Sequence, residues 1–501
     1  MKLSLILEGR LPGRGAADPE ISSIINDSRL AAPGALFFAM PGAKTDGGLF
    51  IRQALEKGAA AVITGTRAPD QERADFPQAA FIEAPDLHQV LSKAAANFYG
   101  HPSQKLKVFG ITGTKGKTTT AYLLESVLAR AGARPGVIGT IDYRVDGRVL
   151  APAANTTPFA HTLQELLAKM LSARAAAAVL EVSSHALALG RVEDVAFDVA
   201  AFTNLQRDHL DFHKDRESYF QAKARLFELL ERSPKKDKCA AINADDERAP
   251  WLLKRLKNKV RTLTFGIENA ADFQASGVQV LETMTRFDLK TGGETLPVKI
   301  NLLGRHNIYN ALAALASAAA GGIPLRTAVE GVEALANVPG RLERVDLGQD
   351  FTVFVDYAHT DAALENVLSN LGLMPHNRII TVFGCGGDRD RTKRAPMGAV
   401  SCGLSDLAIV TSDNPRSEAP AQIFSDIEKG IAGKFTNYEV IPDRAAAIAK
   451  AVAQARKGDI ILIAGKGHET YQILKDGTIH FSDAEAAAAA IKKRNGRGTG
   501  V

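Results

Sequence analysis

Apolar runs that stop abruptly in polar residues recur along this chain. In its middle they are "KVFGIT", "AAAAVLEVSS" and "VAAFTNLQ"; further on they are "FTVFVDYAH", "RIITVFGCGGD", "LAIVTSDNP" and "DIILIAGKGHE". These runs are continuously apolar, without the alternation of a half-exposed strand, so each reads as a strand buried on both faces. Helical patterns lie between them. Strands alternating with helices predict an α/β fold built on parallel sheets. Ligands bind such sheets beyond the carboxyl ends of the strands, and that is where the polar clusters of this chain fall.

An earlier stretch, "DSRLAAPGALFFAMPGAKTDGG" followed by "IRQALEKGAAAVITG", shows the same alternation and closes near "HPSQKL", residues 101–106. Proline and glycine in "NVPGRLERV", residues 337–345, mark a second boundary. The 501 residues, at roughly 100–200 per domain, predict about three domains. The Ala-rich "NALAALASAAAGG" reads as a packed helix, and the tail "KKRNGRGTGV" as disordered.

Composition narrows the class. Hydrophobic residues make up 46% and charged residues 23%, ordinary for a soluble globular protein. The net charge of +5 suits an anionic substrate but is too small and too dispersed for nucleic acid. Three cysteines, Cys239, Cys385 and Cys402, form no paired framework, which points to a reducing cytoplasm. The N-terminal apolar run is too short for a signal peptide, and no later run reaches the ~18 residues of a membrane span.

The motifs carry the chemistry. "VFGITGTKGKTTT" reads as a strand, a glycine loop and a helix start, which turn backbone N–H groups and the helix N-terminus toward phosphates. Lys117 would neutralise phosphate oxygens, and Thr118 would offer a hydroxyl to Mg²⁺. The strict phosphate-loop pattern is not met, because position 111 is Ile. Glu181 ends the strand "AAVLEV", and His209 sits in "TNLQRDHLDFH". Each alone also reads as a helix cap or a structural histidine; on the sheet that carries the loop, both could hold Mg²⁺ on a triphosphate. In "RESYFQAKARLFELL", Lys223 occupies the apolar stripe of Tyr219, Phe220, Leu226, Phe227 and Leu230. An inward lysine loses its proton more easily, and the neutral amine can take up CO₂ as a carbamate, an anionic metal ligand. The alternative is a snorkelling lysine with its head in water. Asn307 and Asn310, Arg341, Asp356 and His359 suit adenine, ribose and phosphate contacts as a set. In "IVTSDNPRSE", Pro415 stiffens a polar corner that holds Arg416, either for a ligand or for a local pair with Glu418.

Taken in order, "DSR", "GTKGKTTT", "NTTP", "EVSSHAL", "FTNLQRDHLDFH", "AKARLF", "GRHNIYN", "GRLERV", "VDYAHTDAALEN", "FGCGGDRDRTKR", "SDNPR" and "AGKGHE" resemble the Mur ligases, the ATP-dependent amide-forming enzymes of peptidoglycan synthesis. The resemblance spans nearly the whole chain and is strongest to the members that form the tripeptide. It implies an α/β protein of three domains: a UDP-binding N-terminal α/β domain at 1–104, a central parallel-sheet P-loop ATPase domain at 105–338, and a C-terminal Rossmann-like domain at 339–501. It implies ATP and Mg²⁺ as cofactors, UDP-N-acetylmuramoyl-dipeptide and meso-diaminopimelate as substrates, a cytoplasmic monomer, and neither nucleic-acid partner nor membrane insertion.

Residue by residue, the resemblance implies that Ser28, Ala43, Lys44 and Thr45 contact the UDP-sugar nucleotide. Asn155, Thr156, Thr157, Ser183 and Arg191 would hold its pyrophosphate, sugar and peptide arm. Gly113, Thr114, Lys115, Gly116, Lys117, Thr118 and Thr119 would cradle ATP, with Asn307, Asn310, Arg341 and Asp356. Thr118, Glu181, His209 and a carbamylated Lys223 would serve the metal, and Lys117 the transferring phosphate. Arg389, Asp413, Asn414, Pro415, Arg416, Gly465 and Glu469 would bind the incoming amino acid. Three positions depart from the family pattern: Lys115 stands where Asn is common, Leu189 where Gln is frequent, and Asn26 beside "DSR" where an apolar residue is usual. Two rival readings are a folylpolyglutamate synthase, which generally lacks the UDP domain, and a nucleotide-driven switch or motor.

Overall fold

The computed structural model describes residues 1–9, 17–42, 45–206, 208, 212–281 and 283–497. The chain forms two compact units, one of residues 1–276, 289–296 and 309–334, the other of residues 277–288, 297–308 and 335–501. The boundary expected at 338/339 lies just after the end of the first unit, and the one expected at 104/105 falls inside that unit.

The first unit carries two sheets. Strands Ser23–Ile25, Ala35–Ala39, Ala61–Thr64 and Ala80–Glu83 form a parallel sheet in chain order. "ALFFA" is buried throughout, as its unbroken apolar run predicts. In the larger sheet six parallel strands lie side by side: Arg261–Gly266, Cys239–Asn243, Val199–Phe202, Lys107–Thr112, Ala177–Glu181 and Pro135–Ile138. An antiparallel hairpin, Asp142–Val145 and Arg148–Pro152, extends the last of them. After Lys107–Thr112 the chain builds first to one side of that strand and then, from Val199, to the other. Such a switch point opens a crevice at the strand's carboxyl end. Three adjacent strands therefore deliver Gly113, Glu181 and Thr203 to one place.

Helix Arg305–Ala320 is the Ala-rich segment, and Ala311, Ala313, Ala314, Ala316 and Ala318 are buried along it. Helix Leu325–Ala334 packs so closely on helix Lys117–Arg130 that a side chain at Gly331 would meet the Val127 backbone at 2.4 Å. No helix among the described residues is long and apolar enough to cross a membrane.

In the second unit, Thr352–Asp356, Ile460–Ala464, Ile379–Phe383, Leu407–Val410 and Tyr438–Val440 are parallel neighbours in that spatial order. The last helix, Asp483–Arg497, corrects the expectation of a disordered tail. Arg494 donates to the Val452 carbonyl and lies over the Phe351 ring, so the basic end of the helix is held against the sheet's covering layer. Only 498–501 of that tail lie outside the described residues.

This helix is fastened by an ion pair with no solvent contact. Arg444 Nε and Nη2 donate to the two carboxylate oxygens of Asp483 at 2.7 Å each, and both side chains are 0% exposed. The same guanidinium donates to the carbonyls of Ser412 and Ala464, beyond the ends of the two strands that flank Ile379–Phe383. Removing one partner of a buried pair strands the other charge, so Asp483→Ala should cost about 3–5 kcal/mol of stability. Adding Arg444→Met should return most of the loss. Urea unfolding checks both, and a parent-like midpoint for Asp483→Ala would contradict this account of the pair.

Candidate functional site

Strand Lys107–Thr112 runs into the loop 113–116 and then helix Lys117–Arg130. Gly113 and Gly116 have φ of +152° and +88°, which L side chains rarely adopt. Space excludes them as well: a Cβ at Gly113 would lie 1.9 Å from Thr203 Oγ1, and one at Gly116 2.3 Å from Asn310 Oδ1. Gly116 is also the helix N-cap and supplies no side-chain cap, so no cap side chain competes with a phosphate for the first-turn N–H groups.

The loop is held through its main chain. The Thr114 N–H donates to the Asn204 carbonyl at 2.9 Å, and the Lys115 N–H to Asn204 Oδ1 at 3.0 Å. The Lys115 carbonyl accepts from Thr203 Oγ1 at 2.7 Å and Asn204 Nδ2 at 3.1 Å. Position 115 thus contributes backbone atoms to the loop, while its half-exposed side chain pairs with Asp208 at 3.9 Å. Thr203 and Asn204 went unrecognised in the sequence, although both lie in the quoted "FTNLQRDHLDFH"; an Asn just past an apolar strand is the available signal.

Two lysine nitrogens meet on one oxygen. Lys117 Nζ donates to the Gly113 carbonyl at 2.7 Å, and Lys223 Nζ donates to the same carbonyl at 2.9 Å. Lys117 also reaches the Thr114 carbonyl at 3.1 Å. Lys223 points inward as its stripe predicts: it is 1% exposed, 4.4 Å from the Tyr219 ring centroid, among the buried Tyr219, Phe220, Leu226, Phe227 and Leu230. Burial first, and then the Lys117 ammonium, push its pKa well below the ordinary lysine value.

Glu181 is buried at its strand end and accepts from Thr118 Oγ1 at 2.9 Å, from the Thr140 N–H at 2.9 Å and from Thr140 Oγ1 at 3.0 Å. Thr140 Oγ1 is in turn 3.0 Å from Thr156 Oγ1. A hydroxyl and a carboxylate side by side at the mouth of the loop form an oxygen donor set that fits Mg²⁺. His209 lies outside the described residues, as do Ala43 and Lys44. Thr119 is buried in the first turn of the loop helix. Buried His213 lies 3.0 Å from Ser184 Oγ, within an aromatic cluster that includes Tyr219.

The same edge gathers most of the expected peptide-arm residues. Thr157 Oγ1 donates to the Glu181 carbonyl at 2.7 Å and lies 3.3 Å from Ser183 Oγ. Arg191 donates to the Thr157 carbonyl at 2.8 Å and stacks over Phe159, while its buried Nε has no partner among the described residues. Asn155 is exposed, with its carbonyl accepting from Tyr143. Leu189 caps the end of helix Ser184–Ala188, and Asn26 directly precedes Asp27, the N-cap of Ser28–Leu30. Ser28, in the small sheet's domain, donates to Gln53 at 2.6 Å, and exposed Thr45 accepts from the Gly42 N–H through its carbonyl at 3.1 Å. Asn310 belongs to this unit; Asn307, Arg341 and Asp356 belong to the other. There Asn307 donates to the Leu303 carbonyl, Arg341 lies over the Tyr357 ring, and Asp356 accepts the N–H groups of Leu342 and Ala358.

A second cluster sits within the C-terminal unit. Arg416 has φ of +53°, so its own left-handed backbone sets the corner, in addition to Pro415. Its N–H donates to the Ile473 carbonyl at 3.0 Å, and its Nη1 to the Gly387 carbonyl at 2.8 Å. Nε and Nη2, one edge of the guanidinium, have no hydrogen-bond partner among the described residues. The local pair with Glu418 is absent, because Glu418 accepts from Arg394 instead. Asn414 donates to Glu469 Oε2 at 2.8 Å, and Asp413 accepts from the Asn414 N–H. Gly465, at φ +117°, passes Asp413 Oδ2 too closely for a side chain. Arg389 is exposed beside the same turn. Lys466 was missed: it is 0% exposed and donates to both Asn414 Oδ1 and Glu469 Oε2 at 3.1 Å. A lysine at the end of a buried strand is the signal that could have found it.

Residues 111–318 match the Mur ligase middle domain, 340–467 the Mur ligase glutamate ligase domain, and 20–99 the Mur ligase family catalytic domain. The chain is 46% identical over 476 residues to the UDP-N-acetylmuramoyl-L-alanyl-D-glutamate–2,6-diaminopimelate ligase of Solibacter usitatus, covering 95% of this chain and 94% of that one. A solved ligase of the same description is 34% identical with a TM-score of 0.67, covering 95% of each chain. The MurF ligase of Thermotoga maritima, solved with ADP, shares the fold at 20% identity and a TM-score of 0.62, covering 95% of this chain and 98% of that one. The architecture is the N-terminal, central and C-terminal arrangement of these ligases.

The loop geometry predicts a nucleotide-binding loss that can be read without turnover. Lys117→Ala should weaken a non-hydrolysable ATP analogue by roughly tenfold to a hundredfold, the worth of one charge-assisted contact. Glu181→Gln should raise the Mg²⁺ needed for that binding. Calorimetric titration checks both, and unchanged affinity in both variants would place the phosphates elsewhere.

Proposed function

The chain belongs to the Mur ligase family, and we propose that it works as the ATP-dependent ligase adding meso-2,6-diaminopimelate to UDP-N-acetylmuramoyl-L-alanyl-D-glutamate. The carboxylate of the D-glutamate arm attacks the γ-phosphate of ATP, giving an acyl phosphate and ADP. The amine of the incoming amino acid then attacks the acyl carbon, and phosphate leaves. The match over residues 20–99 separates the chain from folylpolyglutamate synthases, which generally lack the UDP domain.

The geometry supports definite roles. The glycine loop and the start of its helix bind the phosphates, and Lys117 swings from the loop carbonyls onto them as charge develops. Positioning and fixed charge carry such transfers. Glu181, Thr118 and His209 are the proposed metal ligands, and bound Mg²⁺ would neutralise phosphate oxygens during transfer. Arg191, with hydrogen-bonding capacity to spare, is the proposed partner of the peptide arm, with Asn155, Thr156, Thr157 and Ser183. Ser28, Ala43, Lys44 and Thr45 are proposed for the UDP-sugar, and Asn307, Asn310, Arg341 and Asp356 for the nucleotide. The domain limits 1–104, 105–338 and 339–501 remain part of this reading, as do a monomeric state and a cytoplasmic location, the latter supported by three free cysteines.

Lys223 is proposed to act as a carbamate. Its depressed pKa supplies the neutral amine, and carbamylation turns the Lys117–Lys223 repulsion into an attraction. Lys223→Ala should abolish activity, with short carboxylates restoring part of it. Carbon-13 NMR of enzyme in labelled bicarbonate should show a carbamate; bare lysine in active enzyme by intact mass would refute it.

The observation that carries the choice of amino acid is the guanidinium edge of Arg416. Its Nη1 is anchored on Gly387, and Nε with Nη2 is left as a fork of the kind that grips a carboxylate with two parallel bonds. Diaminopimelate brings a second carboxylate; lysine does not. Leaving that fork unmatched costs on the order of a hundredfold in selectivity. Glu469 and Arg389 would contact the remaining ammonium and carboxylate, with Asp413, Asn414, Pro415 and Gly465 shaping the corner. Phosphate release with diaminopimelate should exceed that with lysine by about that factor, and Arg416→Lys should lose it. A parent that prefers lysine would overturn the assignment.

A further inference from the structure

Arg394 sits at the first position of helix Arg394–Gly403 with its side chain 0% exposed. Two terms oppose it there. A buried guanidinium loses its hydration, and the N-terminal end of a helix repels a cation. An apolar side chain would fill the space at less cost, so the charge has to be explained by what it touches.

It touches both loops that build the amino-acid cluster. Its Nη1 and Nη2 donate to the two oxygens of Glu418 at 2.9 Å each, and Nη1 also donates to Asp426 at 3.0 Å. Nη2 reaches the Gly386 carbonyl at 3.2 Å. Arg416 holds the next carbonyl, that of Gly387. Glu418 Oε1 additionally accepts the Asp388 N–H at 2.6 Å, and Asp388 accepts the N–H and hydroxyl of Ser417. The two loops also meet through the Gly387 N–H, which donates to the Asn414 carbonyl at 2.9 Å. There is no slack: a Cβ at Gly387 would lie 1.9 Å from the Pro415 carbonyl. The Arg394 guanidinium, as the main cause, holds the Glu418 carboxyl below the usual carboxylate range, so the link stays charged.

We infer that Arg394 is a positioning residue for amino-acid selection: with Glu418 it fixes the 386–388 turn, and so the carbonyl on which Arg416 is anchored. The inference rests on the assignment of diaminopimelate above. Asp426 is the other anchor, already shared with Arg391 and Lys429, and it lies on the helix Pro420–Glu428, away from the Arg416 corner.

Steady-state kinetics of the full chain test it, with KM for diaminopimelate and for ATP measured separately. Arg394→Met should raise KM for diaminopimelate by roughly tenfold to a hundredfold while KM for ATP stays within about twofold of the parent. Glu418→Gln leaves the buried arginine with Asp426, so it keeps the fold even if Arg394→Met does not. It should move the same constant in the same direction, with diaminopimelate-over-lysine preference falling alongside. Parallel rises in both KM values, or an unchanged diaminopimelate KM in Glu418→Gln, would reduce Arg394 to a structural part and overturn the inference. A parent that does not use diaminopimelate would overturn the functional assignment itself, and the inference with it.

Discussion

One carbonyl oxygen, that of Gly113, receives hydrogen bonds from the side-chain nitrogens of two lysines, Lys117 and Lys223. Two ammonium groups there would repel, and burial of Lys223 relieves the conflict by favouring its neutral amine. The loop that carries this oxygen is fixed by its surroundings. The loop has to be glycine at 113 and 116, its main chain is tied to Asn204, and a carboxylate, Glu181, is held close by on the neighbouring strand. Lys117 beside the N–H groups of a helix start, in a partly buried setting, suits phosphate, because the field acts there with little screening.

The C-terminal unit solves a related problem with guanidinium groups. Arg444 ties together the ends of two strands, Arg394 ties together two loops, and Arg416 is tied at one end only. The first two are fully buried and paired with carboxylates, Asp483 for Arg444 and Glu418 with Asp426 for Arg394. Arg416, half-buried, keeps an edge unused. On the proposed reading, recognition of a second carboxylate would fall to that edge, which is held in place before any ligand arrives.

Lys466 belongs to the same logic. It neutralises Glu469 and orients Asn414 from below, and its burial at the end of strand Ile460–Ala464 is tolerated because both partners are polar. Glu469 therefore faces the cluster with one oxygen already engaged, which fixes its direction.

The sequence by itself determined the sheets and the edge on which chemistry would gather. Unbroken apolar strands have no alternative to burial on both faces, and polar residues at their carboxyl ends then have one place to go. It also determined the glycine loop and the inward face of Lys223, because each rests on local periodicity or backbone restriction. The tertiary structure alone decided the partners. That Lys223 shares an acceptor with Lys117, 106 positions before it, or that Arg394 and not Arg416 takes Glu418, depends on which strands and loops become neighbours. The helical end of the chain was decided there too: "KKRNGR" lacks the apolar stripe of an independent helix, and it is ordered by Asp483 at the helix start and by the sheet beneath it. Local pattern fixes which residues are buried; long-range hydrogen bonds between buried charges are fixed only when the fold brings them within 3 Å or so of one another.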